Sequence, residues 1–384
     1  MIKVITTEKI PIKMWLETIE DSALQQAKNL ANLPFAYKWI SLMGDSHSGY
    51  GMPIGGVLAT QGVIIPNAVG VDIGCGMIAG ETCLRSDAIT KSMLQAIVEK
   101  IQQEIPVGFA HQSQDQEWIK FDEMPDIPIL NEQLSSARKQ LGTLGQGNHF
   151  CEVQKEQDGH VWLMIHSGSR NLGLKVANTY HKKAQALCER WYSNIPDKDL
   201  AFLPMETSEG KEYYEAMKFC IEFAYTNRAR MMAKVEEIFS DITKAPQTGK
   251  FINIHHNYAA FEHHYGKNVL VHRKGATKAD VGQLGIIPGS MGTSSYIVEG
   301  LGNPESFHSC SHGAGRVMGR NEAKKTLNLT DEQAKMQHVV HGLNSIDNLD
   351  EAPGAYKNID EVMHNQNDLV KIVAKLVPLA SVKG

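Results

Sequence analysis

The sequence predicts a mixed α/β fold in one large domain spanning 1–384, with a β-rich core and peripheral helices. Three observations predict it. Short apolar runs broken by Gly crowd into 250–300, while stretches with a 3.6-residue apolar period occupy much of the remainder. Strand-like and helix-like segments do not alternate regularly, which argues against a doubly wound parallel sheet. Length alone would allow two or three domains, but no Pro/Ser-rich linker, low-complexity tract, charge block or repeat divides the chain.

The elements follow in order. Residues 86–104 form an expected helix: Ser86 and Asp87 can cap it, Leu94, Ile97, Val98 and Ile101 give the period, and Pro106 stops it. A second helix spans about 130–140 and ends at Gly142. Residues 160–166 read as a strand, and after the Ser167–Arg170 turn a long helix runs over about 171–192. Residues 211–241 give one or two long helices. Strand-like runs recur at 251–254, 269–271, 284–287 and 296–298, and from Gly315 onward the texture turns helical.

Composition bounds the function. Six Cys without a CxxC pair do not make a disulfide framework and fit a reducing cytoplasm. The start lacks a basic-then-apolar leader and no run of 18 apolar residues occurs, so a cytoplasmic protein without membrane attachment is expected. A formal net charge of -5 excludes coating of nucleic acid by the whole surface. A local basic groove remains open, supplied by residues such as Arg170, Lys175, Arg228, Arg273, Lys274, Arg316 and Arg320 near the Gly/His motifs.

The chemistry concentrates in a few motifs. Asp72-Ile-Gly-Cys75 sets a carboxylate and a thiol three residues apart among glycines, which let backbone approach an ion closely. A plain turn with a capping Asp and a buried Cys is the competing reading. His149, His166 and His256 each border a short strand-like run, and strand ends converge on sites. Together with Asp72 and Cys75 they make five O, S and N donors, one more than a closed tetrahedral site uses; two ions sharing a thiolate is the economical solution. His312 stands apart, followed by Gly313-Ala-Gly-Arg316, where free backbone N–H groups and an expected helix start favour an anion. Such a His could attack phosphorus, with Arg316 or metal offsetting the charge, or could simply cap or pack. Neither a dinucleotide fingerprint nor a P-loop is present: Gly142-Thr-Leu-Gly-Gln-Gly147 has the wrong spacing.

Eight segments then agree, in order, with one family. Gly70–Gly76, Gly147–Phe150, His166–Arg170, His256-Asn257, Pro288–Gly292, Ser309–Arg316, Asp350–Lys357 and the terminal Val382-Lys-Gly384 resemble the RtcB family of RNA ligases across nearly the whole chain. The resemblance implies that family's α/β fold, two Mn²⁺ ions, and a GTP-dependent joining of an RNA 3′-phosphate or 2′,3′-cyclic phosphate to a 5′-hydroxyl, in RNA repair or tRNA splicing. It implies Asp72, Cys75, His149, His166 and His256 as metal ligands, with Cys75 bridging, and His312 as the carrier of GMP. It further implies a nucleotide held by Asn148, Phe150, Glu152, Asn257, Pro288, Gly289, Ser290, Met291, Ser295, Gly313, Ala314, Gly315, Tyr356 and Lys383. Asp45, His47, Arg170 and Arg316 are expected to handle the RNA ends or the phosphates, and an archease-type activator is among the expected partners. The segment Gly44-Asp-Ser-His47-Ser-Gly49 departs from the family pattern, lacking Pro before Asp45 and differing between Asp45 and His47. The chain is also short for the family, which implies trimmed loops. A dinuclear phosphoesterase would use the same ligands without His312, and a noncatalytic RNA-binding protein would keep four closed ligands and need no nucleotide.

Overall fold

The computed structural model describes residues 1–384. At its centre a curled sheet runs in the order Ile252–His255, Gly76–Arg85, His160–Ser167, Phe150–Glu156, Val370–Lys383, Ser295–Gly300, Leu284–Ile287. Each of these pairings is antiparallel, so no crossover helices are needed and regular βαβ alternation is absent. Every strand contributes to one inner apolar cluster, including Met77, Phe150, Met164, Ile254, Ile286, Ile297 and Leu376. A sheet that buries one face against itself must roll toward a barrel. Its outer face, with Ile78, Val153, Leu163 and Ile165, packs under the helix Lys91–Glu104 and the C-terminal half of the helix Ser208–Thr243.

A second sheet runs Lys3–Ile5, Ile12–Met14, Ala36–His47, Ile54–Thr60, Lys267–Lys274, Asn257–His264. Helix Asp21–Ala31 covers one face. The other face shares a core with the first sheet, where Trp39, Met43, Val57 and Val271 meet Tyr296, Val298, Phe307 and Val362. The chain passes from one sheet to the other at His256, the single residue between Ile252–His255 and Asn257–His264. A candidate metal ligand thus sits on the seam between sheets.

Several expectations shift. The helix read over 86–104 begins at Lys91, capped by Thr90 accepting from Met93 N (3.3 Å), because the preceding strand continues to Arg85. The helix at 130–140 is Pro128–Gln140, the one at 171–192 is Arg170–Arg190, and 211–241 is a single helix of 36 residues. No helix starts at Gly313. Arg316 is extended and bridged to Tyr356, and the next helix begins at Arg320. The helical reading from Gly315 onward also fails at the end, where Val370–Lys383 is a 14-residue strand; Val, Ile and Ala alternate there over too short a span to separate the two periods. All six Cys are free. No helix is long and apolar enough to cross a membrane.

One buried ion network fixes the second sheet. Arg273 is fully buried; it donates to both Glu262 oxygens (2.5 and 3.1 Å), to Ser309 Oγ (2.8 Å) and to Phe307 O (2.8 Å), so it holds the strand that leads to His312. Burial opposes the Glu262 charge, but Arg273 and His264 outweigh it and hold the carboxyl low. Arg273→Met strands a buried carboxylate and should lower stability by about 3–5 kcal/mol in urea unfolding. The double variant Arg273→Met/Glu262→Leu should recover a substantial part of that loss, and a double variant no more stable than the single would refute the account.

Candidate functional site

The short helix Pro66–Val69 ends at Gly70 (φ 98°), and Gly74 (φ 73°) turns the chain back, so Cys75 N donates to Asp72 O at 3.1 Å. Both side chains then leave one tight loop. That loop is zipped to the seam: Gly74 N donates to Asn257 O and His256 N to Cys75 O, each 2.8 Å. Opposite, Gly168 leaves no room for a side chain, since a Cβ there would overlap the Asp72 carboxylate.

Cys75 Sγ lies 3.2 Å from His166 Nε2 and 3.5 Å from His149 Nε2, and His149 Nε2 lies 3.0 Å from Asp72 Oδ2. The other ring nitrogens are committed. His149 Nδ1 faces Leu144 O (3.0 Å) and His166 Nδ1 faces Asn148 O (3.1 Å). A carbonyl only accepts, so both Nδ1 atoms carry a proton; the Nε2 of His166 faces the thiol, and that of His149 lies between the thiol and the Asp72 carboxylate. His256 completes the group less tightly, its ring 5.2 Å from that of His166, and its buried Nδ1 has no partner. Burial holds His166 and His256 neutral. Burial, and then the Asp72 charge, push the Cys75 thiol up. Two groups that can be anionic and three imidazoles converge with no Lys or Arg bonded to carboxylate or thiol, a donor set that fits divalent cations. The tightest three are Cys75, His149 and His166.

His312 follows the strand Ser309–Ser311, its ring 4.6 Å from that of His256. Asp45, fully buried, accepts from His312 Nδ1 at 2.6 Å, from His312 N at 3.1 Å and from Gly313 N at 3.3 Å, all through Oδ2. Burial works against its charge, but His312, His47 and Lys357 keep the carboxyl below its ordinary range. Gly315 (φ 74°) packs directly on the Asp45 backbone. Asp45 therefore faces His312, and the His312 Nε2 is left free. His47, bonded through Nδ1 to Asp45 O (2.9 Å), is lowered to about 4 by burial and lines the same opening.

Three openings surround these groups. The widest, about 550 Å³, is bounded by His47, Asp72, Cys75, Asn148, His256, Asn257, Lys274, His312 and Arg316. A second, about 310 Å³, is lined by Phe150, Pro288, Gly289, Ser290, Gly313, Ala314, Gly315, Tyr356 and Lys383, with His312 at its edge. A third, about 450 Å³, holds Arg170 and His149. Asn148 borders all three.

Some expected contacts are already engaged elsewhere. Asn257 gives its amide to Asp72 O (3.0 Å) and accepts from Gly275 N (2.8 Å), bracing the ligand loop. Ser295 is buried, accepting from Gly289 N (3.2 Å) and Gln154 (3.1 Å) beneath the turn. Glu152 lies behind Ser381, which donates to it at 2.9 Å, and burial raises its carboxyl. Met291 packs with Met336 and Leu343 and lines an adjoining cavity of about 390 Å³ that Lys383 also borders. Arg316 is clamped by Met318 O, Glu351 and Asp350 O, and Arg170 by Thr143 Oγ1 and Gly108 O. Arg228 and Arg273, expected in a groove, are wholly buried.

Glu351 went unread in the sequence. It gathers Arg316 (3.3 Å), Arg320 (2.6 Å), Lys383 (3.7 Å) and the Tyr356 hydroxyl. An acidic residue inside a motif that also holds Tyr356 was the available signal. Lys383, at a terminus that would ordinarily fray, is paired with Phe150 in the sheet, its Nζ 5.0 Å over that ring.

A family model described as tRNA-splicing ligase RtcB matches residues 26–127 and 120–384. The RNA-splicing ligase RtcB of Escherichia coli K12 is 40% identical over 409 residues, covering 100% of this chain and 99% of that one. The tRNA-splicing ligase RtcB of Thermococcus kodakarensis is 33% identical over 442 residues, 95% and 92% of the two chains. The RNA-splicing ligase RtcB of Mycobacterium tuberculosis is 32% identical over 435 residues, 94% and 100%. Alignments longer than the 384-residue chain are what trimmed loops produce.

Metal binding is the first check. Cys75→Ser replaces an anionic donor by a neutral hydroxyl, and should lower bound metal per chain in elemental analysis and reduce the rise in unfolding temperature that metal gives the wild type. Exposed Cys83→Ser should leave both as they are. Full loading of Cys75→Ser would exclude the thiolate from the site.

Proposed function

Because the chain belongs to the RtcB family of RNA ligases, we propose that it joins RNA 3′-phosphate or 2′,3′-cyclic phosphate ends to 5′-hydroxyl ends, using GTP and two Mn²⁺ ions, through GMP carried on His312. Residues 1–384 act in this reading as one domain in the cytoplasm. The observation that carries it is the Asp45–His312 pair. Asp45 fixes the Nδ1–H tautomer at 2.6 Å and leaves Nε2 as nucleophile beside the ligand cluster. A dinuclear phosphoesterase, in which a metal-activated water attacks, needs no His nucleophile oriented in this way.

The steps balance as follows. His312 Nε2 attacks the α-phosphorus of GTP; an N–P bond forms, the α–β P–O bond breaks and pyrophosphate leaves. An RNA 3′-phosphate oxygen then takes the GMP, giving an RNA end capped through a diphosphate and freeing the imidazole. Finally the 5′-hydroxyl attacks the RNA 3′-phosphorus, loses its proton and releases GMP. A cyclic phosphate end first adds water to open to a 3′-phosphate. Asp72, Cys75, His149, His166 and His256 would hold the ions, which supply charge neutralisation at the reacting phosphates. Asp45 balances the imidazolium character that develops as His312 attacks. Phe150, Tyr356 and the Pro288–Met291 turn offer a stacking face and backbone carbonyls for guanine, with Lys383 toward its polar edge and Glu152 behind it.

Two outcomes are expected. With labelled GTP, wild-type protein should gain an acid-labile, hydroxylamine-sensitive label that His312→Ala lacks; Asp45→Asn should keep His312 but slow labelling at least ~100-fold, as tautomer control is lost. Label surviving in His312→Ala would end the proposal.

The second concerns protons. Burial lowers Lys274 to about 7, so part of it is neutral at pH 8, while below pH 6 it is charged. It lines the widest opening, and a bound RNA phosphate favours the charged form. RNA binding should therefore take up a proton at pH 8 and not at pH 6, read by calorimetry in buffers of different ionisation enthalpy. Lys274→Met should abolish the difference.

A further inference from the structure

Lys357 closes the Asp350–Lys357 segment and borders none of the cavities around the site. Its bonds nevertheless run to both halves of the Asp45–His312 pair. Nζ donates to Ser46 O at 2.6 Å and, more weakly, to Gly44 O at 3.5 Å, the two carbonyls that flank Asp45. Its backbone N donates to Gly315 O at 2.9 Å, in the loop that follows His312.

Asp45 needs such an anchor because the sheet does not supply one. In the ladder between Ala36–His47 and Ile54–Thr60, Leu42 pairs with Gly56 and His47 with Ile54, so the four residues Met43–Ser46 stand opposite Gly55 alone. A bulge of this kind re-aims side chains and disrupts the ladder locally. Lys357 holds two of the carbonyls in that stretch. Charge gives it a second hold: all three bonds to the Asp45 carboxylate enter through Oδ2, while the buried Oδ1 has no partner. Nearby cations must then offset a carboxylate that is only half satisfied. His47, at about 4, is neutral at pH 7, so while His312 is an uncharged nucleophile the ammonium of Lys357 is what faces Asp45.

We propose that Lys357 is a positioning residue for guanylylation: by holding the Gly44–Ser46 backbone against the His312–Gly315 loop it keeps Asp45 aimed at His312 Nδ1, and so keeps Nε2 in line for the α-phosphorus of GTP. It touches neither GTP nor RNA. Only the steps in which His312 makes or breaks its bond to phosphorus depend on it; the final attack of the 5′-hydroxyl on a GMP-capped RNA end does not. The inference rests on the ligase reading above.

The test separates these steps. In single-turnover labelling with Mn²⁺ and labelled GTP, Lys357→Met should slow adduct formation at saturating GTP about 10- to 100-fold, the range a small misplacement of a reacting group produces, and leave half-saturating GTP within about twofold. Sealing of a strand supplied with its 3′-phosphate already capped by GMP should keep the wild-type rate, which a general loosening of the fold would not allow. In an Asp45→Asn background, Lys357→Met should slow labelling little further, because Lys357 acts through Asp45. Should Lys357→Met fail to fold in urea unfolding, Lys357→Gln, one atom shorter and uncharged, is read in the same way. Labelling at the wild-type rate, equal slowing of labelling and of sealing from the capped strand, a rise in half-saturating GTP with the maximal rate unchanged, or full additivity with Asp45→Asn would each overturn the inference. Wild-type protein that takes no label from GTP would remove the underlying reading; labelled wild type with an indifferent Lys357→Met removes the inference alone.

Discussion

Arg228 has no exposed surface, and its guanidinium joins the two segments that carry the candidate ligands. Nη1 donates to Gly74 O at 2.8 Å and to Ser167 O at 2.9 Å, and Nε donates to Asn253 Oδ1 at 2.8 Å. Burial lowers it to about 10, which leaves it charged at neutral pH. One residue earlier on the same helix, Asn227 accepts from Gly142 N and Thr143 N and donates to Ser167 Oγ and Gly168 O. Two side chains of one long helix therefore set the spacing between the Asp72–Cys75 loop and the end of the His166 strand. A buried cation without a carboxylate partner is costly on its own account. Near the Asp72 carboxylate, and the Cys75 thiol that would ionise on binding a metal, it offsets charge that the interior would otherwise reject.

The opposite half of the site depends on the seam between the two sheets. His256 closes one strand and opens another, Asn257 braces the ligand loop, and Arg273 in the neighbouring strand fixes the approach to His312. The C-terminal strand completes it from the other direction, pairing Lys383 with Phe150 and putting Gly384 N on His149 O at 3.0 Å. Residues far apart in sequence are rigid here because each lies at the end or edge of a strand whose remainder is committed to a core.

The sequence made the ligand set and His312 legible because Gly, Asp, Cys and His recur in combinations that packing alone does not require. The strand ends bearing His149, His166 and His256 were likewise readable, since each borders an apolar run. What stayed hidden was mostly long-range. Nothing near Asp45 states that its carboxylate meets His312, 267 residues away. Arg228 and Arg273 look in sequence like any solvated Arg, and only the packed helix and sheet reveal them as buried clamps. The final strand was misread because its neighbours Phe150–Glu156 and Ser295–Gly300 pull it into the sheet, a tertiary choice that local propensity does not carry. The helix start at 86 failed for the reverse reason: Ser86 and Asp87 are good caps, yet the strand before them had first claim on the chain.

The ligand list carries a tension of its own. Thiolate and imidazole donors, taken by softness and the Irving–Williams order, favour Zn²⁺ over Mn²⁺. Geometry and charge push the other way. A closed tetrahedral Zn site would use four donors and leave no open position, whereas here five donors are spread from Asp72 through Cys75 to His256, and the cluster opens onto three cavities. Two divalent ions on one carboxylate, one thiolate and three neutral imidazoles would leave a net positive centre. Such a centre would draw phosphate into a chain that is acidic overall. On that reading Arg316 and Arg320 can be tied up by Glu351 and Asp350, since the ions would supply the attraction for phosphate while these ion pairs hold the walls of the site.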